Sequence, residues 1–166
     1  FVVRLKGGDP YVFGRGSEEV LACAAAGIPV TVVPGVTSAV AAPAAAGIPV
    51  THRGIAHEFV VVSGHVPPGS PSSLVDWAAI ARLRGTVCVL MGLANIEPIT
   101  RALLDGGRAP ETPAAVIQDG ATDRQRVVRA PLDQIVACVT EHDLRAPAMI
   151  VVGHVAAVLH HPDRLA

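Results

Sequence analysis

The chain has 166 residues, 51% of them apolar, and a net charge of −1. That length suits one or two domains with enough apolar material for a core. The near-neutral charge and the 3% aromatic content speak against a nucleic-acid partner, which calls for clustered Lys and Arg or stacking rings. No run of 18 apolar residues is free of Pro, Gly or charge, so no membrane span is expected. Nothing in the sequence argues for secretion. Cys23, Cys88 and Cys138 are odd in number, lack CxxC spacing and sit in Ala- or Val-rich segments. They read as small buried hydrophobes in a reducing cytoplasm.

In chain order, "FVVRL" (1–5) has strand composition from Phe1 onward and runs into Gly7-Gly8. A helix is expected from Ser17, which can cap it. Glu18 and Glu19 suit its positive end and Gly27 stops it. "PVTVV" (29–33) is the next expected strand. A second helix starts at Thr37-Ser38 and ends at Gly47, with Pro43 weakening or bending it unless it lies in the first turn. The octapeptide "AAAGIPVT" occurs at 24–31 and again at 44–51. Each copy reads as a helix end, a glycine stop and a strand. The alternation of strand and helix favours a parallel sheet.

After Thr51 the texture changes, and a domain boundary is expected between His52 and His57. "EFVVVSGH" reads as a strand and "VPPGSPSS" as a loop. "SLVDWAAIARLRG" reads as an amphipathic helix with Leu74, Trp77, Ala78 and Ala81 on its apolar side. "TVCVLMG" is a buried strand. Asn95 caps a helix that ends at Gly106-Gly107. "AAVIQDG" and "RQRVVRA" form a hairpin, hence an antiparallel pair. Pro131 to His142 is a helix and "AMIVVGHV" the last strand.

An apolar strand ending in Gly-Gly-Asp is suited to a ligand site at the carboxyl edge of a parallel sheet. Glycine lets backbone amides approach a ligand, and Asp9 can accept hydrogen bonds from ribose hydroxyls or an ammonium group. Gly14 and Gly16 around Arg15 keep the loop open. No Gly-Lys-Ser/Thr follows and the G-x-G-x-x-G spacing is absent, so neither a P-loop nor a dinucleotide fingerprint is present. As a bare pattern it also fits a Gly-rich turn with no ligand.

Four stretches carry more. "GGDPYVFGRGSEE", "VVPGVTSAVAAPAAAGIPVTHRG", "VVVSGH" and "TVCVLMGL" resemble, in that order, the uroporphyrinogen-III C-methyltransferases of the tetrapyrrole methylase family. The resemblance implies a two-domain α/β fold, with residues 1–53 as the remainder of a parallel-sheet first domain and 54–166 as a mixed-sheet second domain. It implies S-adenosylmethionine as cofactor, S-adenosylhomocysteine as its product, and transfer of methyl groups to C2 and then C7 of uroporphyrinogen III. Carried over by motif position, the cofactor contacts are Gly7, Gly8, Asp9, Val12, Thr37, Ser38, Met91 and Gly120. Lys6, Arg15 and Arg53 are candidates to hold the substrate's carboxylates. The family assigns proton handling to an Asp and a Lys that fall upstream of Phe1. No position here matches them, so the catalytic residues are left unassigned. On the resemblance, Phe1 opens an interior strand of the first domain. The chain is expected to be about two thirds of the enzyme, to bind cofactor weakly by itself and to transfer no methyl group. A homodimer is implied.

Four other readings compete with this one. One is a methylase of the same fold acting on a later corrin precursor, and another a non-catalytic ligand-binding or dimerisation module. Seven histidines (52, 57, 65, 142, 154, 160 and 161) raise a metal site, but no HxxxH or HExxH spacing occurs. His160 and His161 would point about 100° apart on a helix. His65, at a strand end, is the most interesting of them. A Ser/His/Asp hydrolase finds no G-x-S-x-G elbow.

Overall fold

The computed structural model describes residues 1–159. His160 and His161 lie outside them. Five strands form one sheet: β1 (Phe59–Ser63), β2 (Thr86–Leu90), β3 (Pro113–Gln118), β4 (Arg126–Pro131) and β5 (Ala148–Val152). The spatial order is β1-β2-β5-β3-β4. β1 and β2 are parallel, and every other pairing is antiparallel. The chain is therefore α/β with a mixed sheet, and the hairpin expected from "AAVIQDG" and "RQRVVRA" is the β3–β4 pair. Ser63 pairs with Leu90, Leu90 with Met149 and Gln118 with Ala148, so the carboxyl ends of β1, β2 and β3 share one edge.

Strand alternation divides the core into two layers, because successive side chains point to opposite faces. Val87, Val89, Ala114, Val116, Ile150 and Val152 face one side. They meet α3 (Trp77–Arg82), α4 (Ile96–Asp105) and α5 (Ile135–Glu141) there. Ile96, Ile99, Thr100 and Leu103 recur at helical spacing and are the buried stripe of α4. Cys88, Ala115, Ile117, Met149 and Val151 face the other side. They are covered by α2 (Ser38–Ala45), Ile48, Ala56, Val155 and Ala156.

The repeated octapeptide folds the same way twice. α1 (Gly16–Ala25) and α2 both end with a glycine at φ 68°. In the first copy Ile28 N–H donates to Cys23 O and Gly27 N–H to Ala24 O; in the second Ile48 N–H donates to Pro43 O and Gly47 N–H to Ala44 O. That is a Schellman stop, which satisfies carbonyls the helix leaves open. The tertiary fates then diverge: Ile48 is 1% exposed under the sheet, Ile28 55% exposed. Local sequence sets the turn and not the burial.

Several expectations need correction. Residues 1–5, 29–33 and the stretch after Gly47 are not strands, so the strand–helix alternation expected before His52 is not formed; Phe1, Val2, Val3, Leu5 and Val33 are exposed. Phe1 thus opens a segment without a ladder, not the interior strand expected of it. β propensity without a partner ladder gives no more than that. Ser17 lies inside α1, whose N-cap is Arg15. The third helix starts only at Trp77, because Asp76 caps it by accepting from Ala79 N–H at 2.9 Å. Leu74 therefore stays in the loop, 99% exposed. Asn95 precedes α4 without capping it. Its amide instead donates to the carbonyls of Gly64 (2.8 Å) and His65 (3.1 Å), fastening the loop after β1. Pro131 belongs to β4, and the helix expected from it, α5, begins at Ile135. Pro43 does not end α2, which continues for two more residues.

Candidate functional site

The carboxyl edge of β2 opens into a cleft lined by Lys6, Gly7, Gly8, Asp9, Val12, Phe13, Gly14, Thr37, Ser38, Leu90 and Met91. Three pieces of chain converge on it: the Gly-Gly-Asp loop, the start of α2 and the residue that ends the second strand. Eight of the residues named from the sequence are among them: Lys6, Gly7, Gly8, Asp9, Val12, Thr37, Ser38 and Met91.

Asp9 staples two of the pieces together. Its Oδ1 accepts from Tyr11 N–H at 2.9 Å and its Oδ2 from Gly35 N–H at 3.1 Å. The Tyr11 amide, followed by that of Gly35, holds the Asp9 carboxyl below its ordinary value of 3.8. The backbones of the two loops touch beneath it: a Cβ on Gly35 would stand 2.8 Å from Gly8 O. One lone pair of each carboxylate oxygen remains for a ligand. Asp9 is thus first an organiser of the loop pair, a role the motif alone does not disclose.

Thr37 caps α2, its Oγ1 accepting from Ala39 N–H at 3.3 Å, with extended backbone at φ −65°, ψ 143°. The Ser38 amide is one of the orphan donors of a helix start. Met91 sits at φ 54° and Phe13 at φ 55°, a backbone region that non-glycine residues seldom occupy and that clusters at ligand sites. Met91 is 48% exposed, so an apolar thioether forms one wall of the cleft instead of filling the core. Lys6 is the cationic wall. Its side chain is 14% exposed and its Nζ donates to both carboxylate oxygens of Glu19 at 3.0 Å. Arg4 shares that carboxylate at 3.2 Å. The Lys6 hydrogen bond, above all, lowers the Glu19 pKa.

Three named residues do not line the cleft. Arg15 is exposed at the start of α1, where it pairs with Glu18 at 2.6 Å. Arg53 is exposed, in the tight bend closed by the His52–Ala56 bridge. Gly120, just past β3, lies against Ala42 in the middle of α2. Phe1, the position before which the family's Asp and Lys fall, is not among the lining residues either. Conversely, Phe13, Gly14 and Leu90 line the cleft and are not among the cofactor or substrate contacts named from the sequence. The first two belong to the "FGRG" stretch and Leu90 directly precedes Met91, so motif proximity was the available signal. His65 is exposed, and its amide donates to Ser63 Oγ at 3.3 Å. Among the described residues no three His, Cys, Asp or Glu are grouped as a metal site.

A glycine-lined cleft at a sheet's carboxyl edge, with a helix N-terminus beside it, has the chemistry of a small-ligand site in an α/β protein. The model of the tetrapyrrole (corrin/porphyrin) methylases matches residues 1–136, and the chain belongs to that family. It is 47% identical over 160 residues to a uroporphyrinogen-III C-methyltransferase of Methanocaldococcus jannaschii, covering 95% of this chain and 65% of that protein. It is 48% identical over 157 residues to a siroheme synthase of Tolumonas auensis, covering 95% of this chain and 33% of that one. Among solved structures, a uroporphyrin-III C-methyltransferase of Thermus thermophilus, complexed with S-adenosylhomocysteine, superposes with a TM-score of 0.78. The two are 44% identical, over 95% of this chain and 68% of the other. The chain thus spans about two thirds of the first of these relatives and a third of the second.

Proposed function

We propose that the cleft binds S-adenosylmethionine and serves the C-methylation of uroporphyrinogen III at C2 and C7, giving precorrin-2. The observation that carries this reading is the convergence of the Gly7–Asp9 loop, the Thr37–Ser38 helix start and Met91 on one cleft. The S-adenosylhomocysteine complex of the Thermus relative supports it. We take residues 1–53 as part of a first domain and 54–166 as a second, with lining residues from both. A homodimer in the cytoplasm accords with the family resemblance.

The residues present suit the cofactor by their donors and surfaces. The Gly7–Gly8 backbone allows close approach, the Ser38 amide and Thr37 hydroxyl are polar contacts, and Met91, Leu90 and Val12 are an apolar wall for the adenine. Bound there, S-adenosylmethionine supplies an electrophilic sulfonium methyl group. The chain's contribution is alignment and exclusion of water by Phe13, Val12 and Leu90, and such alignment can account for about 7–11 kcal/mol of a barrier. Lys6 meets substrate carboxylates by exchanging its Glu19 partner for them. Arg15 and Arg53, outside the cleft, hold carboxylates farther from the reacting carbon. Two backbone amides hold the Asp9 carboxyl below its ordinary value and make it a weak base, so proton removal from the acceptor carbon is not assigned to it.

Calorimetric titration of the chain with S-adenosylhomocysteine tests the reading. One binding site is expected, weakened by Met91→Ala and by Ser38→Pro, which removes the helix-start amide. The absence of binding heat overturns it.

A further inference from the structure

We propose that Arg129, assisted by Gln125, is a positioning residue for the cleft: from β4 it fixes the axial position of α2 and so sets where Thr37 and Ser38 stand. The proposal rests on the reading of the cleft given above.

α2 has little else to fix it along its axis. Its sequence, SAVAAPAA, carries no charged side chain. Its buried residues are Ala39, Ala42 and Pro43, and Ala39, Ala42 and, just past its end, Ala46 sit on Cys88, Ala115, Ile117, Met149 and Val151. Small side chains on a sheet interlock weakly, so the position of such a helix along its axis depends on how its ends are held. The N-terminal end is the cleft itself, where Asp9 holds the Gly35 amide just before the helix. The C-terminal end is held from the β3–β4 hairpin. Carbonyls 42, 43 and 44 accept from the Ala46, Ile48 and Gly47 amides of the helix stop. The next two are served by side chains. Gln125 Nε2 donates to Ala45 O at 3.2 Å, and Arg129 Nη2 to Ala46 O at 2.6 Å.

A guanidinium at a helix C-terminus meets the negative end of the helix dipole, and a charge-assisted bond of this length is among the stronger kinds. Among the described residues no carboxylate lies within ion-pair distance of Arg129. The helix end is therefore its counter-charge, and its buried Nε has no partner. Gln125 is itself fixed, since its Oε1 accepts from Ala121 N–H at 2.8 Å. The same hairpin presses Gly120 on the helix: a Cβ there would stand 2.5 Å from that of Ala42. Three contacts from one hairpin thus clamp α2 from its middle to its end. With 8 residues in the helix, the clamp acts on a cleft about 12 Å away.

The test uses the full chain and two readouts. Hydrogen exchange without ligand is followed at the amides of Val40 and Ala41, both bonded to Thr37 O. S-adenosylhomocysteine affinity is measured by calorimetry. Val139→Ala, in the core layer on the opposite face of the sheet, serves as the control for general destabilisation. Arg129→Met is expected to speed exchange at Val40 and Ala41 and to weaken binding about tenfold, the scale of one strong hydrogen bond. Arg129→Lys, which keeps the charge, recovers part of both, and Val139→Ala leaves the affinity within about twofold. Unchanged exchange and affinity in Arg129→Met overturn the proposal, as does an equal loss of affinity in Val139→Ala. If Arg129→Met does not fold, Gln125→Ala decides: faster exchange at Val40 and Ala41 supports the clamp and unchanged exchange overturns it. An unsubstituted chain that takes no S-adenosylhomocysteine overturns the cleft reading instead, and the exchange measurement still decides the clamp.

Discussion

Asp9 illustrates how a motif residue can carry two duties. With both oxygens bound to amides, its carboxyl stays ionised below the ordinary value of 3.8. A depressed folded-state pKa means that the contribution of the staple is complete above 3.8 and is lost as pH falls through the lower folded value. The Gly35 amide proton, followed by NMR, should therefore keep its shift from pH 8 to pH 5 and move only below the ordinary aspartate range. A midpoint near neutrality would contradict the staple. Asp9→Asn keeps one acceptor oxygen of the two and should loosen the Gly35 contact first. Cys88 is the opposite case. Fully buried on the middle of β2, its thiol is pushed by burial up to about 12. It should stay unmodified by iodoacetamide at pH 8 in the folded chain, with Cys23 and Cys138, both half-buried, reacting first. Prompt alkylation of Cys88 would show that this core layer opens readily.

At the scale of elements, the repeated "AAAGIPVT" shows what local sequence controls. Both copies build the same helix stop, and only the second is buried by the sheet. The helix expected to end at Gly106-Gly107 is α4, whose Ile96, Ile99, Thr100 and Leu103 carry the helical period. Leu103→Ala there should cost about 2–5 kcal/mol in chemical denaturation, since Leu103 is 0% exposed. A loss under about 1 kcal/mol would mean that the layer repacks. Asn95 and Leu74 mislead for the same physical reason: each obeys a local rule that another contact overrides. Asn95 has the composition of a cap but bonds two carbonyls some 30 residues earlier. Leu74 fits a helical stripe, yet Asp76 caps the helix two residues after it. Residues 1–5 and 29–33 have strand composition, but a strand is defined by its neighbour, which composition does not contain.

At the scale of the molecule, the sheet's two covered faces contrast with the exposed apolar surface of residues 1–36. Phe1, Val2, Val3, Leu5, Leu21, Val33 and Val36 are all more than half exposed. So much apolar surface favours association. Sedimentation velocity should show concentration-dependent self-association of the chain, reduced by Leu21→Lys with Val33→Lys. A monomer at all concentrations would contradict this. The cleft was legible because glycine, aspartate and a helix start are short-range features. Its separation from Gly120 was not, because that depends on how the β3–β4 hairpin lies across α2.

The most direct test of the whole account is a crystal structure of the chain with S-adenosylhomocysteine. The account predicts the ligand in contact with the Gly8 backbone, the start of α2 at Thr37 and the Met91 side chain. A ligand bound away from all three would contradict it.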